Sequence, residues 1–129
     1  MQIYRTKPFA RFARRQRIAD GALRGAVKRA RQGLVDADLG GGVIKQRIAR
    51  PGEGRSGGFR VLIAYRRDVR SVFLYGFAKS ERDNIGDDEL ETARTIAKSW
   101  LTAGSDQIAR ALADGVIDEV DSEESDEEA

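Results

Sequence analysis

Lys45 and Arg47 lie two residues apart in VIKQRIA (43–49), and Arg60 stands near the start of the apolar run in GRSGGFRVLIAYRR (54–67), which closes on Arg66 and Arg67. In an extended chain, successive side chains alternate between faces. Val43, Lys45 and Arg47 then share one face of the first run, with Ile44, Gln46 and Ile48 on the other. In the second run Arg60, Leu62, Ala64 and Arg66 oppose Phe59, Val61, Ile63 and Tyr65. If helices cover the more apolar face, Lys45, Arg47 and Arg60 emerge together as a cationic sheet surface. A planar guanidinium can grip two phosphate oxygens at once and an ammonium acts as a point charge, so the set suits a polyanion. The chain has no Cys and no His. That removes thiolate nucleophiles, disulfides, imidazole acid–base pairs and the usual zinc ligand sets.

The elements that would hold these residues follow from periodicity. IYRTK (3–7) reads as a short strand and PFARFARRQR (8–17) as a helix with Pro8 in its first turn. Phe9, Phe12 and Ala13 fall at helical spacing toward a core and leave Arg11, Arg14 and Arg15 outward. Asp20 is expected to cap a second helix, GALRGAVKRARQ, whose stripe is Leu23, Ala26, Val27 and Ala30 and which Gly33 stops. A loop, VDADLGGG (35–42), leads to strands at 43–49, 59–67 and 71–79, the last two joined by DVR as an antiparallel hairpin. LGGG and GRSGG read as flexible turns, since neither carries the ending of a phosphate-cradling loop. Phe73, Tyr75 and Phe77 are expected on one face, in the core. A helix in IGDDELETARTIAKSWL, capped by Asp87, closes that core, and SDQIARALADG (105–115), capped by Ser105, adds another. The expected fold is α+β: a small antiparallel-rich sheet with an N-terminal helical hairpin and a C-terminal helix, the helices segregated to one side.

With 129 residues the chain is long enough for one domain. Its net charge of +2 conceals a division. Residues 1–82 hold 20 of the 23 Lys and Arg but 6 of the 21 Asp and Glu, a net +14, which leaves −12 for residues 83–129. Residues 118–129, DEVDSEESDEEA, hold eight carboxylates and two apolar side chains, too few to offset ordering, so a disordered acidic tail is expected there. The remaining +10 body attracts polyanions, of which nucleic acid is the commonest. The basic start lacks the apolar run of a signal peptide, and no stretch approaches a membrane span, so a soluble cytoplasmic protein is expected.

IKQRIA, GRSGGFRVLIAYR and VFLYGFAKSERDNI, followed by a closing helix, resemble the RelE-like toxins of the RelE/ParE superfamily, near their HigB-like members. The resemblance covers roughly residues 1–101 and implies a toxin domain at 1–104. The additional helix (105–117) and the tail (118–129) lie outside that core. It implies the RelE-like fold and a ribosome-associated endoribonuclease that cuts messenger RNA and so inhibits translation, with no cofactor or metal. It also implies a cognate antitoxin, a helix-turn-helix protein. Position by position, Lys45 and Arg47 match the basic pair on the second strand, and Arg60 matches the arginine after the glycine-aromatic step. Lys79 and Arg82 match a basic cluster in which Ser80 takes the place of the usual arginine, and the tyrosine common shortly downstream is absent from DNIGDDEL (83–90).

RNA is cleaved when its own 2′-OH attacks the adjacent phosphate, so the protein need only align, transfer protons and stabilise charge. Arg60 would hold nonbridging oxygens. Like charge from Arg47 and Arg60 would favour the neutral amine of Lys45 as a base. Lys79 and Arg82 are candidate proton donors, and Glu53, Glu81 and Asp83 possible carboxylate bases. Arg11, Arg14, Arg15, Arg17 and Arg66 are candidates for contact with RNA phosphates, and Tyr65 or Tyr75 could stack on a base. Two alternatives stand beside this: a ParE-like toxin that binds DNA gyrase without cutting RNA, and a noncatalytic RNA-binding regulator.

Overall fold

A computed structural model describes residues 2–50, 52, 54–82 and 84–120. The chain runs β1 (Gln2–Thr6), α1 (Lys7–Gln16), α2 (Asp20–Arg31), β2 (Ala37–Gly40), β3 (Val43–Arg50), β4 (Gly54–Arg66), β5 (Arg70–Ala78), α3 (Asp87–Thr102), α4 (Ser105–Ala113) and β6 (Ile117–Glu119). The sheet is ordered β2-β3-β4-β5-β1-β6. Among the described residues only the β1–β5 pair, with Ile3 beside Ser71, is parallel. The fold is thus α+β with a six-stranded, mostly antiparallel sheet, the RelE-like arrangement. Among the described residues no helix is long and apolar enough to cross a membrane.

Helices cover both faces of the sheet, not one. Phe9, Phe12 and Ala13 of α1 and Leu23, Ala26, Val27 and Ala30 of α2 pack on Ile44, Ile48, Phe59, Val61, Ile63 and Phe73. On the opposite face Ala93 and Ala97 of α3 and Ile108 of α4 pack on Val43, Leu62, Ala64, Val72 and Leu74. The reason lies in β4, which offers Leu62 and Ala64 between Arg60 and Arg66 and so needs a second apolar cover.

Caps and edges also differ from expectation. Asp20, Asp87 and Ser105 are each the first helical residue, and the caps are Ala19, Gly86 and Gly104. Asp20 is drawn instead to Arg5, which donates to it at 2.8 Å and to Asp118 at 2.7 Å. Burial disfavours the charge of Arg5, yet these two carboxylates raise its pKa. The expected loop 35–42 contains β2, an edge strand turned into β3 through Gly40, Gly41 and Gly42, all at positive φ. A Cβ on Gly42 would lie 2.7 Å from Leu101 Cδ1, so α3 packs directly on this turn.

GRSGG is not a turn but the first stretch of β4. A Cβ on Gly58 would sit 2.2 Å from the Ile48 carbonyl oxygen, beside an irregularity in β3 between Ile48 and Arg50. Glycine is required there for close backbone approach. The expected tail from residue 118 is also corrected in part. Asp118 and Glu119 belong to β6, paired with β1, and Val120 is fully buried in the core under α1 and α2. Residues 121–129 lie outside the described residues.

Candidate functional site

Strand register assembles the site in two rows. Arg47 stands opposite Arg60, and Arg60 opposite Phe77; Lys45 stands opposite Leu62, and Leu62 opposite Tyr75. All belong to the face that α3 covers only in part. The second row depends on a shift in the β4–β5 register between Leu62 and Ile63, where β5 carries the extra residue Leu74. An extra residue reverses the alternation. Phe73 therefore points into the core under α1 and α2, while Tyr75 and Phe77 stand among the cations, which corrects the expectation of a single aromatic face. Tyr75 is 37 % exposed and Phe77 is 3 % exposed.

The segment after β5 folds back across these rows. Lys79 extends the ladder through its backbone N–H to the Gly58 carbonyl, at 2.9 Å, and alternation puts its side chain on the Arg60 side. The Arg82 guanidinium lies over the Phe77 ring at 5.5 Å and donates to the Asn84 carbonyl at 2.8 Å and to the Tyr75 hydroxyl at 3.3 Å. It forms a bidentate pair with Glu89, at 2.6 and 3.2 Å. Hydrogen bonds from Arg82 and the Gly86 N–H hold the Glu89 carboxyl below its usual range. The Asn84 side-chain oxygen accepts from Lys45 Nζ at 3.4 Å and from the Ile85 N–H at 3.0 Å. Lys45, Arg60, Tyr75, Phe77 and Arg82 thus converge on one side of the sheet.

Arg47 reaches the same surface but is partly committed elsewhere. Its backbone N–H donates to Asp36 at 2.7 Å and its guanidinium to the same carboxylate at 3.1 Å. Burial pushes the Asp36 carboxyl up, but these bonds and the charges of Arg47 and Arg29 hold it below its ordinary value. Arg60 is 8 % exposed, packed between Arg47 and Phe77 in the row.

The remaining candidates lie apart. Arg11, Arg14, Arg15 and Arg17 are exposed on α1 and its end, on the opposite side of the sheet from Lys45 and Arg60. Arg66 shares the Arg60 face of β4 but sits at the far end, with its guanidinium 3.5 Å from the Leu101 carbonyl at the end of α3. Tyr65 faces the core under α1 and α2 and its hydroxyl is buried, so of the two tyrosines only Tyr75 stands at the site. Glu81 is exposed, and Glu53 and Asp83 fall outside the described residues. Beside Tyr75 opens an apolar groove of about 310 Å³ between Pro8, Leu62, Leu74, Ile85, Ala93 and Ile96.

A family model described as the RelE toxin of the RelE / RelB toxin-antitoxin system matches residues 1–120. The chain belongs to the RelE toxin family. It is therefore the toxin of a toxin–antitoxin system, a family that implies a cognate antitoxin as partner. The match takes in α4 and β6 as well as the sheet and hairpin helices. A comparison with curated proteins finds no match. The sequence reaches Lys45, Arg47 and Arg60 by periodicity and Tyr75 as a possible stacking ring, though it expects that ring in the core; it does not reach Asn84 or Glu89. The place of Tyr75 depends on the irregularity in β5, and Asn84 and Glu89 are brought in by the return of the chain through the loop into the first turn of α3.

Proposed function

We propose that this toxin is a ribosome-associated endoribonuclease of the cytoplasm that cleaves messenger RNA without a metal ion. The observation that carries it is the convergence of Lys45, Arg60, Arg82 and the exposed Tyr75 on one open patch of sheet. Lys45 takes the proton of a 2′-OH, whose oxygen attacks the adjacent phosphorus. The P–O5′ bond breaks, leaving a 2′,3′-cyclic phosphate, and the departing 5′ oxygen is protonated from the Lys79 and Arg82 side. Arg60 stabilises the extra charge on the nonbridging oxygens, the largest contribution such a site can make. Tyr75 stacks on a base beside the phosphate. Arg47 adds charge, while Arg11, Arg14, Arg15, Arg17 and Arg66 contact phosphates elsewhere on the ribosome. The antitoxin is a helix-turn-helix protein.

The test is induced expression followed by mapping of messenger RNA 5′ ends. New 5′ ends should appear with the wild-type chain and vanish with Lys45→Ala and Arg60→Ala, while the thermal melts stay intact. Arg60→Lys should also lose at least tenfold in cleavage, because a point charge cannot replace a planar fork. Growth arrest without new 5′ ends would instead favour a gyrase-binding toxin, which needs no such cluster.

A further inference from the structure

Arg82 is already occupied. Of the five N–H groups of a guanidinium, Nε donates to Asn84, Nη1 to Tyr75 and Glu89, and Nη2 to Glu89. The two bonds to Glu89 are the parallel pair by which arginine binds a carboxylate, and arginine binds a phosphate with the same fork. A carboxylate of the chain thus fills the position that a substrate phosphate would take. Glu89 is not there by chance of a long side chain. It stands in the first turn of α3, where the helix favours negative charge, and its Oε1 also accepts from the Gly86 N–H at 2.8 Å. The bidentate pair joins Glu89 to Arg82, so the competition falls on Arg82.

We propose that Glu89 is an internal competitor for the phosphate seat of Arg82, which RNA must displace, so that Glu89 sets the affinity of the toxin for its substrate. This rests on the site's being one that binds RNA, and it adds the step that limits binding there. Displacement keeps the guanidinium in place, because the bond to Asn84 and the stacking over Phe77 do not involve Glu89. The exposed pair makes the exchange shallow: a solvent-exposed ion pair holds its partner by a factor of about two to five.

Binding of a short 2′-O-methyl oligoribonucleotide, which cannot supply the attacking hydroxyl, separates affinity from cleavage. Glu89→Gln keeps an acceptor for the Gly86 N–H and should tighten binding about two- to fivefold at low salt. In an Arg82→Ala background the same substitution should change nothing, and the neutral Arg82→Gln serves if the alanine variant melts early. Asp88→Asn removes an equal charge one residue away and should have a smaller effect. Unchanged or weaker binding by Glu89→Gln overturns the proposal, as does equal tightening in the Arg82→Ala background or by Asp88→Asn, which would reflect bulk charge. An affinity indifferent to Arg60→Ala would count against the RNA-binding site itself, whatever Glu89 does.

Discussion

Tyr75 carries two separable contributions at the proposed site, an exposed ring and a hydroxyl that accepts from Arg82. Tyr75→Phe keeps the ring and should retain most cleavage, losing no more than a few-fold. Tyr75→Ala should lose about tenfold or more, since stacking on an aromatic ring is worth roughly 1–3 kcal/mol per base. Single-turnover cleavage of a defined messenger on ribosomes distinguishes them, and equal losses in both variants would shift the role from ring to hydroxyl. Asp36 acts on Arg47 in the opposite sense to a substrate, by holding it to the β2–β3 edge. Its carboxyl is lowered on folding, so its stabilising contribution is present above the ordinary carboxylate value near 4 and is lost as pH falls through the lower folded value. Melting temperature of the wild type should therefore drop more steeply than that of Asp36→Asn as pH falls below about 4.

At the scale of the elements, the sequence was most legible where periodicity and burial agree. Alternation in 43–48 and 59–66 matches the observed faces, and helical spacing finds the buried stripes of α1 and α2. It failed where the backbone departs from a period. The extra residue in β5 sends Phe73 one way and Tyr75 and Phe77 the other, and no residue type announces it. Glycines misled in the other direction, because a glycine cluster reads equally as a turn or as a strand pressed against a neighbour. Gly58 is the second kind. Gly58→Ala should cost about 3 kcal/mol, since its Cβ meets backbone that cannot rotate away, and chemical denaturation would measure it. A loss under about 0.5 kcal/mol would mean that β3 yields at its irregularity. The helices on both faces follow from Leu62 and Ala64, which alternation puts on the cationic face and which need an apolar cover there.

For the whole molecule, the division of charge places a +14 segment ahead of a −12 one, and the junction between body and acidic end is later than composition alone suggests. A cut after Ile117 would remove the Asp118 contact to Arg5 and the fully buried Val120, whereas a cut after Val120 removes residues 121–129 and leaves β6 whole. The first truncation should lose about 2–3 kcal/mol, the value of burying one large aliphatic side chain, and the second close to none. An acidic end tethered to a basic body can lower its affinity for RNA, and the second truncation alone tests this. The carboxylates of residues 121–129 lower the net charge of the molecule and so its attraction for a polyanion. Removing them should tighten binding to random RNA several-fold at low ionic strength, with the difference fading as salt rises toward 0.5 M, where screening falls below about 5 Å. Equal affinities of the full chain and the Val120 truncation at low salt would leave the acidic end with no part in RNA binding.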